Sequence, residues 1–136
     1  MAYINRLLTG EWVDPVTRLP NEEFAKEIMV ELENSEEVFY LMRIDLNFPA
    51  SSDDISKFVL SRVSSVIKHS VRIPKDFVCK VGEKSFCVVL HGITDVELNK
   101  VAQRITDSLQ YLLLTYGNEK IQIDCSIDIK TVGGAH

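Results

Sequence analysis

Asp45, Asp76 and Glu83 are the carboxylates whose placement could do chemistry, because each lies at an end of a strand-like run. Asp45 closes Val38–Leu46, a run rich in β-formers. Asp76 opens a second region, in which the apolar runs 77–81 and 86–90 are joined by Gly82-Glu83-Lys84-Ser85. Carboxylates are the oxygen ligands that hard divalent cations need, and such cations neutralise charge in phosphoryl transfer. Read from the residues alone, Gly82-Glu83-Lys84-Ser85 is a solvated hairpin turn, and Asp45 is a cap for nearby backbone amides.

Other constellations are thin. His69, His91 and His136 have no ligand spacing to one another. Asp124 and Asp128 share one strand face, either as a carboxylate pair or as part of a solvated surface. Cys79, Cys87 and Cys125 are odd in number, lack C-x-x-C spacing and fall in strand-like runs. That pattern points to a reducing compartment and to small buried hydrophobes. There is no glycine-rich phosphate loop and no nucleophile elbow.

The elements that must position these residues are legible from periodicity. Asn21 is an N-cap followed by Glu22-Glu23, and Phe24, Ala25, Ile28 and Leu32 recur at helical spacing. A second helix spans Ser51–His69, with Ile55, Phe58, Val59, Val63, Val66 and Ile67 on one stripe. The hairpin occupies about 76–90. Thr94-Asp-Val-Glu97 is a capping box that opens a long helix with the stripe Leu98, Val101, Ala102, Ile105, Leu109, Leu112 and Leu113, stopped by Gly117-Asn118. Ile121 to Lys130 alternates as a last strand. The predicted fold is α+β: a ferredoxin-like βαββαβ sheet with helices packed on it, preceded by an extra N-terminal helix.

At 136 residues and 46% apolar content the chain makes one domain with an adequate core. A net charge of −5 argues against nucleic acid as a partner. No apolar run reaches the roughly 18 residues of a membrane span, and the N-terminus lacks the basic and apolar regions of a secretory signal. A cytoplasmic location is expected.

In this order, Asp14-Pro-Val-Thr-Arg-Leu-Pro-Asn21 with Phe24, Arg43-Ile-Asp45-Leu-Asn-Phe48, and Gly82-Glu83-Lys84-Ser85-Phe86 resemble the GGDEF family of bacterial diguanylate cyclase domains. The family's opening reads D-x-L-T-G-L-P-N-R-x-x-F, its first strand ends in D-x-D-x-F, and its hairpin tip is G-G-[DE]-E-F. The resemblance is clearest over residues 14–48 and 76–128 and implies the nucleotidyl cyclase-type fold. It implies an enzyme that joins two GTP molecules, the 3′-hydroxyl of one attacking the α-phosphorus of the other, with metal ions held by the strand-end Asp and the acidic third hairpin residue. Asp45 matches the first position, but Lys84 stands at the second. The base-reading N-D-x-x-G-H-x-x-G-D segment is replaced by Pro49-Ala-Ser-Ser-Asp-Asp54. In the inhibitory R-x-x-D motif Asp76 matches, while Ile73 replaces the Arg, with Arg72 beside it. The family's closing helix has no counterpart after Ser126-Ile127-Asp128.

The expectation is a degenerate GGDEF-like domain over residues 14–131, with a lead segment at 1–13 and a tail at 132–136. Gly82, Glu83, Lys84, Ser85 and Phe86 form a vestigial active-site hairpin, Asp45 a vestigial metal ligand and Asp76 a vestigial inhibitory-site residue. No catalytic residue and no cofactor are expected. The expected role is that of a regulatory or protein-interaction module in bacterial signalling, its partner a protein or an adjoining signalling domain. Trp12 and Lys84 are the candidate contact residues, because Trp is enriched at interface hot spots and Trp12 lies outside every predicted element. The alternatives are a sensor of GTP or cyclic di-GMP without turnover, and a cyclase with a displaced metal site.

Overall fold

The computed structural model describes residues 12–71 and 76–134. Helix α1 is Glu22–Glu33, strand β1 Val38–Asn47, helix α2 Asp53–Ser70, strands β2 and β3 Phe77–Gly82 and Ser85–His91, and helix α3 Asp95–Gln110. Strands β4 (Leu114–Tyr116), β5 (Glu119–Ile121) and β6 (Asp124–Gly133) follow. The main sheet has the order β2-β3-β1-β6, with every neighbouring pair antiparallel. That is the ferredoxin-like βαββαβ plan with an added N-terminal helix, as the periodicity predicts.

Side-chain caps set the helix starts. Asn21, Ser52 and Thr94 each accept a hydrogen bond from the backbone N–H three residues on, at Phe24, Ile55 and Glu97. Each cap satisfies an amide that has no partner inside its helix. The period-2 pattern of β1 then sorts two faces. Met42, Ile44 and Leu46 join Phe86, Val88 and Leu90 on the face covered by α2 and α3, where Val59, Val63, Ile67 and Ile105 are fully buried. Leu41, Arg43 and Asp45 point to the opposite face. There α1 packs against β2 and β6, leaving a groove of about 700 Å³ lined by residues including Met29, Leu41, Val81 and Cys87.

The third helix differs from expectation. It ends at Gln110, and Leu113 is 91% exposed. Leu114 turns into the core instead, at the head of the small β4–β5 hairpin, in which Tyr116 faces Glu119. Gly117, at φ 62°, makes the two-residue loop of that hairpin and does not terminate a helix. The expected last strand is accordingly divided into β5, which belongs to this hairpin, and β6, which belongs to the main sheet.

Gly133 closes β6 at φ 87°, and a Cβ there would stand 2.2 Å from the Glu37 carbonyl oxygen. Gly117 has the same handedness, but nothing lies within 4 Å of its missing Cβ. Urea denaturation should therefore separate the two sites. Gly117→Ala is expected to cost about 1 kcal/mol, for the left-handed backbone alone, and Gly133→Ala at least ~2 kcal/mol, because backbone must also move. Equal losses would mean that the close approach at Gly133 does not exist in solution.

Candidate functional site

The candidate site is the corner where β1 meets the β2–β3 hairpin. Antiparallel pairing sets Asp45 opposite Ser85 and, on the other side, opposite Ser126. The backbone fixes the corner further, since the Leu46 N–H donates to the Lys84 carbonyl at 2.9 Å. Ser85 Oγ donates to Asp45 Oδ1 at 2.5 Å. Arg43 lies two residues before Asp45 on the same strand face, and its Nε donates to both carboxylate oxygens at 3.1 and 3.2 Å. The Asp45 carboxylate is thus engaged by a cation and a hydroxyl, so neither a free ligand nor a backbone cap describes it.

Lys84 does not extend into solvent. Its Nζ lies 4.4 Å from the centroid of the Phe48 ring and donates to the Phe48 carbonyl at 3.4 Å. A cation over an aromatic face is attracted by the ring quadrupole. Glu83 is the exposed residue of the tip. Its charge acts on Lys80, whose ammonium is 8% exposed as a residue and donates to the Gly82 carbonyl. Burial pushes the Lys80 pKa down, while Asp14, Glu83 and Glu22 oppose that shift. Phe86 is fully buried, so the last residue of the hairpin motif serves the core.

The opening segment has a structural role. Asp14 Oδ2 accepts from the Thr17 N–H and hydroxyl at 2.8 and 2.9 Å, and Arg18 N–H donates to the Asp14 carbonyl. Arg18 takes φ 64°, a left-handed backbone that suits glycine; it occupies the Gly position of the family opening. Pro20 accepts from the Lys80 N–H at 2.8 Å, which ties the segment to β2.

Trp12, an expected contact residue, and Asp76, an expected vestigial residue, both lie inside the molecule. Trp12 is 3% exposed and packs on Phe24 at 5.1 Å between ring centroids, with Phe24 on Phe77 at 5.4 Å. Trp12 is therefore not the exposed contact residue expected from its place outside the predicted elements: tilted aromatic packing holds it in the fold. Asp76 is 2% exposed, while Arg72 and Ile73 lie outside the described residues. Cys79 is buried, Cys87 and Cys125 are half-buried, and burial pushes all three thiols up, as suits packing residues. His136 lies outside the described residues, and among those described no three His, Cys, Asp or Glu side chains are grouped to hold a metal ion. No described helix is long and apolar enough to cross a membrane.

Arg43 and Phe48 stand in the strand-end segment of the motif, but motif reading assigns neither of them a role at the site. Arg43 carries a signal, since residues two apart on a strand share a face. Phe48 carries none, because its contact with Lys84 spans 36 positions.

Residues 11–135 match the family model described as diguanylate cyclase, GGDEF domain. Among solved structures, the fold is similar to diguanylate cyclase SiaD from Pseudomonas aeruginosa, solved in complex with its activator SiaC. The TM-score is 0.80 and the identity 21%, over 96% of this chain but only 54% of that one. It is also similar to the FimX GGDEF domain from Pseudomonas aeruginosa (TM-score 0.76, 16% identity, 92% of this chain and 82% of that one). A third similar structure is the coiled coil and GGDEF domain of DgcB from Caulobacter crescentus, in complex with c-di-GMP (TM-score 0.76, 14% identity, 95% and 74%).

The Trp12 stack has a measurable consequence. Trp12→Ala should lower stability by ~3 kcal/mol or more, as for large aromatics removed from a core, read as a shifted urea midpoint. An unchanged midpoint would return Trp12 to the surface.

Proposed function

The chain belongs to the diguanylate cyclase GGDEF domain family, and from that membership we propose that this member is catalytically silent and works as a regulatory or protein-interaction module in signalling. One observation carries the reading: the cation at the hairpin tip. Where the family places an acidic metal ligand, Lys84 rests its ammonium on the ring and carbonyl of Phe48. The carboxylate that remains, Asp45, is already paired with Arg43. A divalent ion entering this corner meets one neutralised carboxylate and two positive side chains, a donor set that does not fit Mg²⁺. Glu83 offers no replacement, since it is exposed and acts on Lys80.

The substrate side supports the same reading. After Phe48 the chain runs through Pro49-Ala-Ser-Ser52 directly into α2, with Ser52 as its cap, so Asp53 and Asp54 belong to the first helical turn. Carboxylates there suit the helix dipole and need no base to read. What the domain retains is a rigid scaffold, and a rigid scaffold is what a binding surface needs. SiaD was solved with a protein activator, and we assign this chain a partner of that general kind, either a separate protein or an adjoining signalling domain.

Purified protein incubated with GTP and Mg²⁺ or Mn²⁺ is expected to yield no cyclic di-GMP above a boiled control by chromatography. Lys84→Asp alone should not restore synthesis, because the base-reading segment is lost separately. Product from the wild-type protein would overturn the reading, and calorimetric binding of GTP or cyclic di-GMP without product would move it to the sensor.

A further inference from the structure

β6 is a sheet edge. Its inner side pairs with β1 in an unbroken register from Asp124 to Gly133, and among the described residues no strand pairs with its outer side. Such an edge presents a row of N–H and C=O groups ready to pair with another strand. The usual protections are a short strand, a proline, a bulge, or charged side chains that meet no opposite charge on an incoming strand. β6 has ten residues, no proline and no bulge, and its charges are of both signs. Cys125, Ile127 and Ile129 lie against the core yet stay only half-buried, so apolar surface remains uncovered at this edge. Asp124, Ser126, Asp128 and Lys130 are exposed on the other face.

This strand is complementary to itself when reversed. With Ile127 opposite the Ile127 of a second copy, Cys125 meets Ile129 and Asp124 meets Lys130, each twice. Ser126 meets Asp128, a hydroxyl donor against a carboxylate. Apolar residues face apolar residues throughout one face, opposite charges meet on the other, and no position sets like charges together. Slipping by one residue would set Ile129 against Asp124. Moving the axis to Ile129 would separate Cys125 from Ile129 and set Ser126 against Val132.

We propose that β6 pairs antiparallel with β6 of a second copy of this chain, about a twofold axis at Ile127, joining two four-stranded sheets into one. The interface is isologous, the commonest type in soluble dimers, and cross-strand pairs supply its specificity. The pairing does not depend on whether the corner at Asp45 is silent.

Sedimentation velocity from about 1 µM to about 1 mM, the range in which modest interfaces associate, tests the proposal. The wild-type chain should dimerise. Asp124→Lys and Lys130→Asp each set like charges opposite one another twice, and each should weaken the dimer by about tenfold or more. The double variant exchanges the charges and should recover wild-type association, which no folding defect would do. A wild-type monomer over the whole range, a dimer indifferent to both single changes, or a double variant that stays weak would each overturn the proposal.

Discussion

β1 and β3 run antiparallel from Phe39 opposite His91 to Asp45 opposite Ser85, and that register decides what can meet at the corner. It carries the end of the first strand to the tip of the hairpin and locks it there through the Leu46 N–H and the Lys84 carbonyl. Any side chain at residue 84 is thereby held beside the segment that leaves β1. In a family that binds metal at this place the geometry serves two acids. Here it holds one acid and two cations, and each finds a partner within the protein. The Ser85 hydroxyl and Arg43 guanidinium satisfy Asp45, and Phe48 receives Lys84.

The scaffold around this corner persists for its own physical reasons. The Asp14–Pro20 turn is closed by Asp14 and Thr17 and stitched to β2 through Pro20 and Lys80. Lys80 is buried beside that turn, and Asp14, Glu83 and Glu22 only partly offset the lowering of its pKa by burial. Trp12, Phe24 and Phe77 pack in sequence with tilted rings, which joins Trp12 to α1 and α1 to β2. Such interactions belong to folding, and they hold the opening segment in place whatever side chains stand at the hairpin tip.

Local chemistry makes two helix starts legible, because Asn21 and Thr94 announce caps within three residues, whereas the stripe of α2 extends the expected helix back to Ser51 and the cap falls at Ser52. The alternation of β1 and the hairpin pair were equally plain. The end of α3 was not. Leu112 and Leu113 continue the helical spacing, and only the burial of Leu114 and Ile121 in the core shows that a hairpin takes over. At the site, Asp45 and Lys84 stood out by their motif positions, but what engages them did not. Arg43 was readable from the strand period, whereas Phe48 and the stack over Trp12 join residues far apart in the chain and exist only once the sheet is formed.

On the proposed reading, Arg43 and Lys84 keep a divalent ion out of the corner between β1 and the hairpin tip. Paramagnetic broadening by Mn²⁺ tests it most directly, because broadening falls steeply with distance from a bound ion. In an amide-resolved NMR titration with Mn²⁺, with and without GTP, the resonances of Asp45, Leu46, Lys84 and Ser85 should broaden no more than those of exposed acidic positions such as Asp107. Selective loss of the four corner resonances at submillimolar Mn²⁺ would mean that the corner binds the ion despite Arg43 and Lys84.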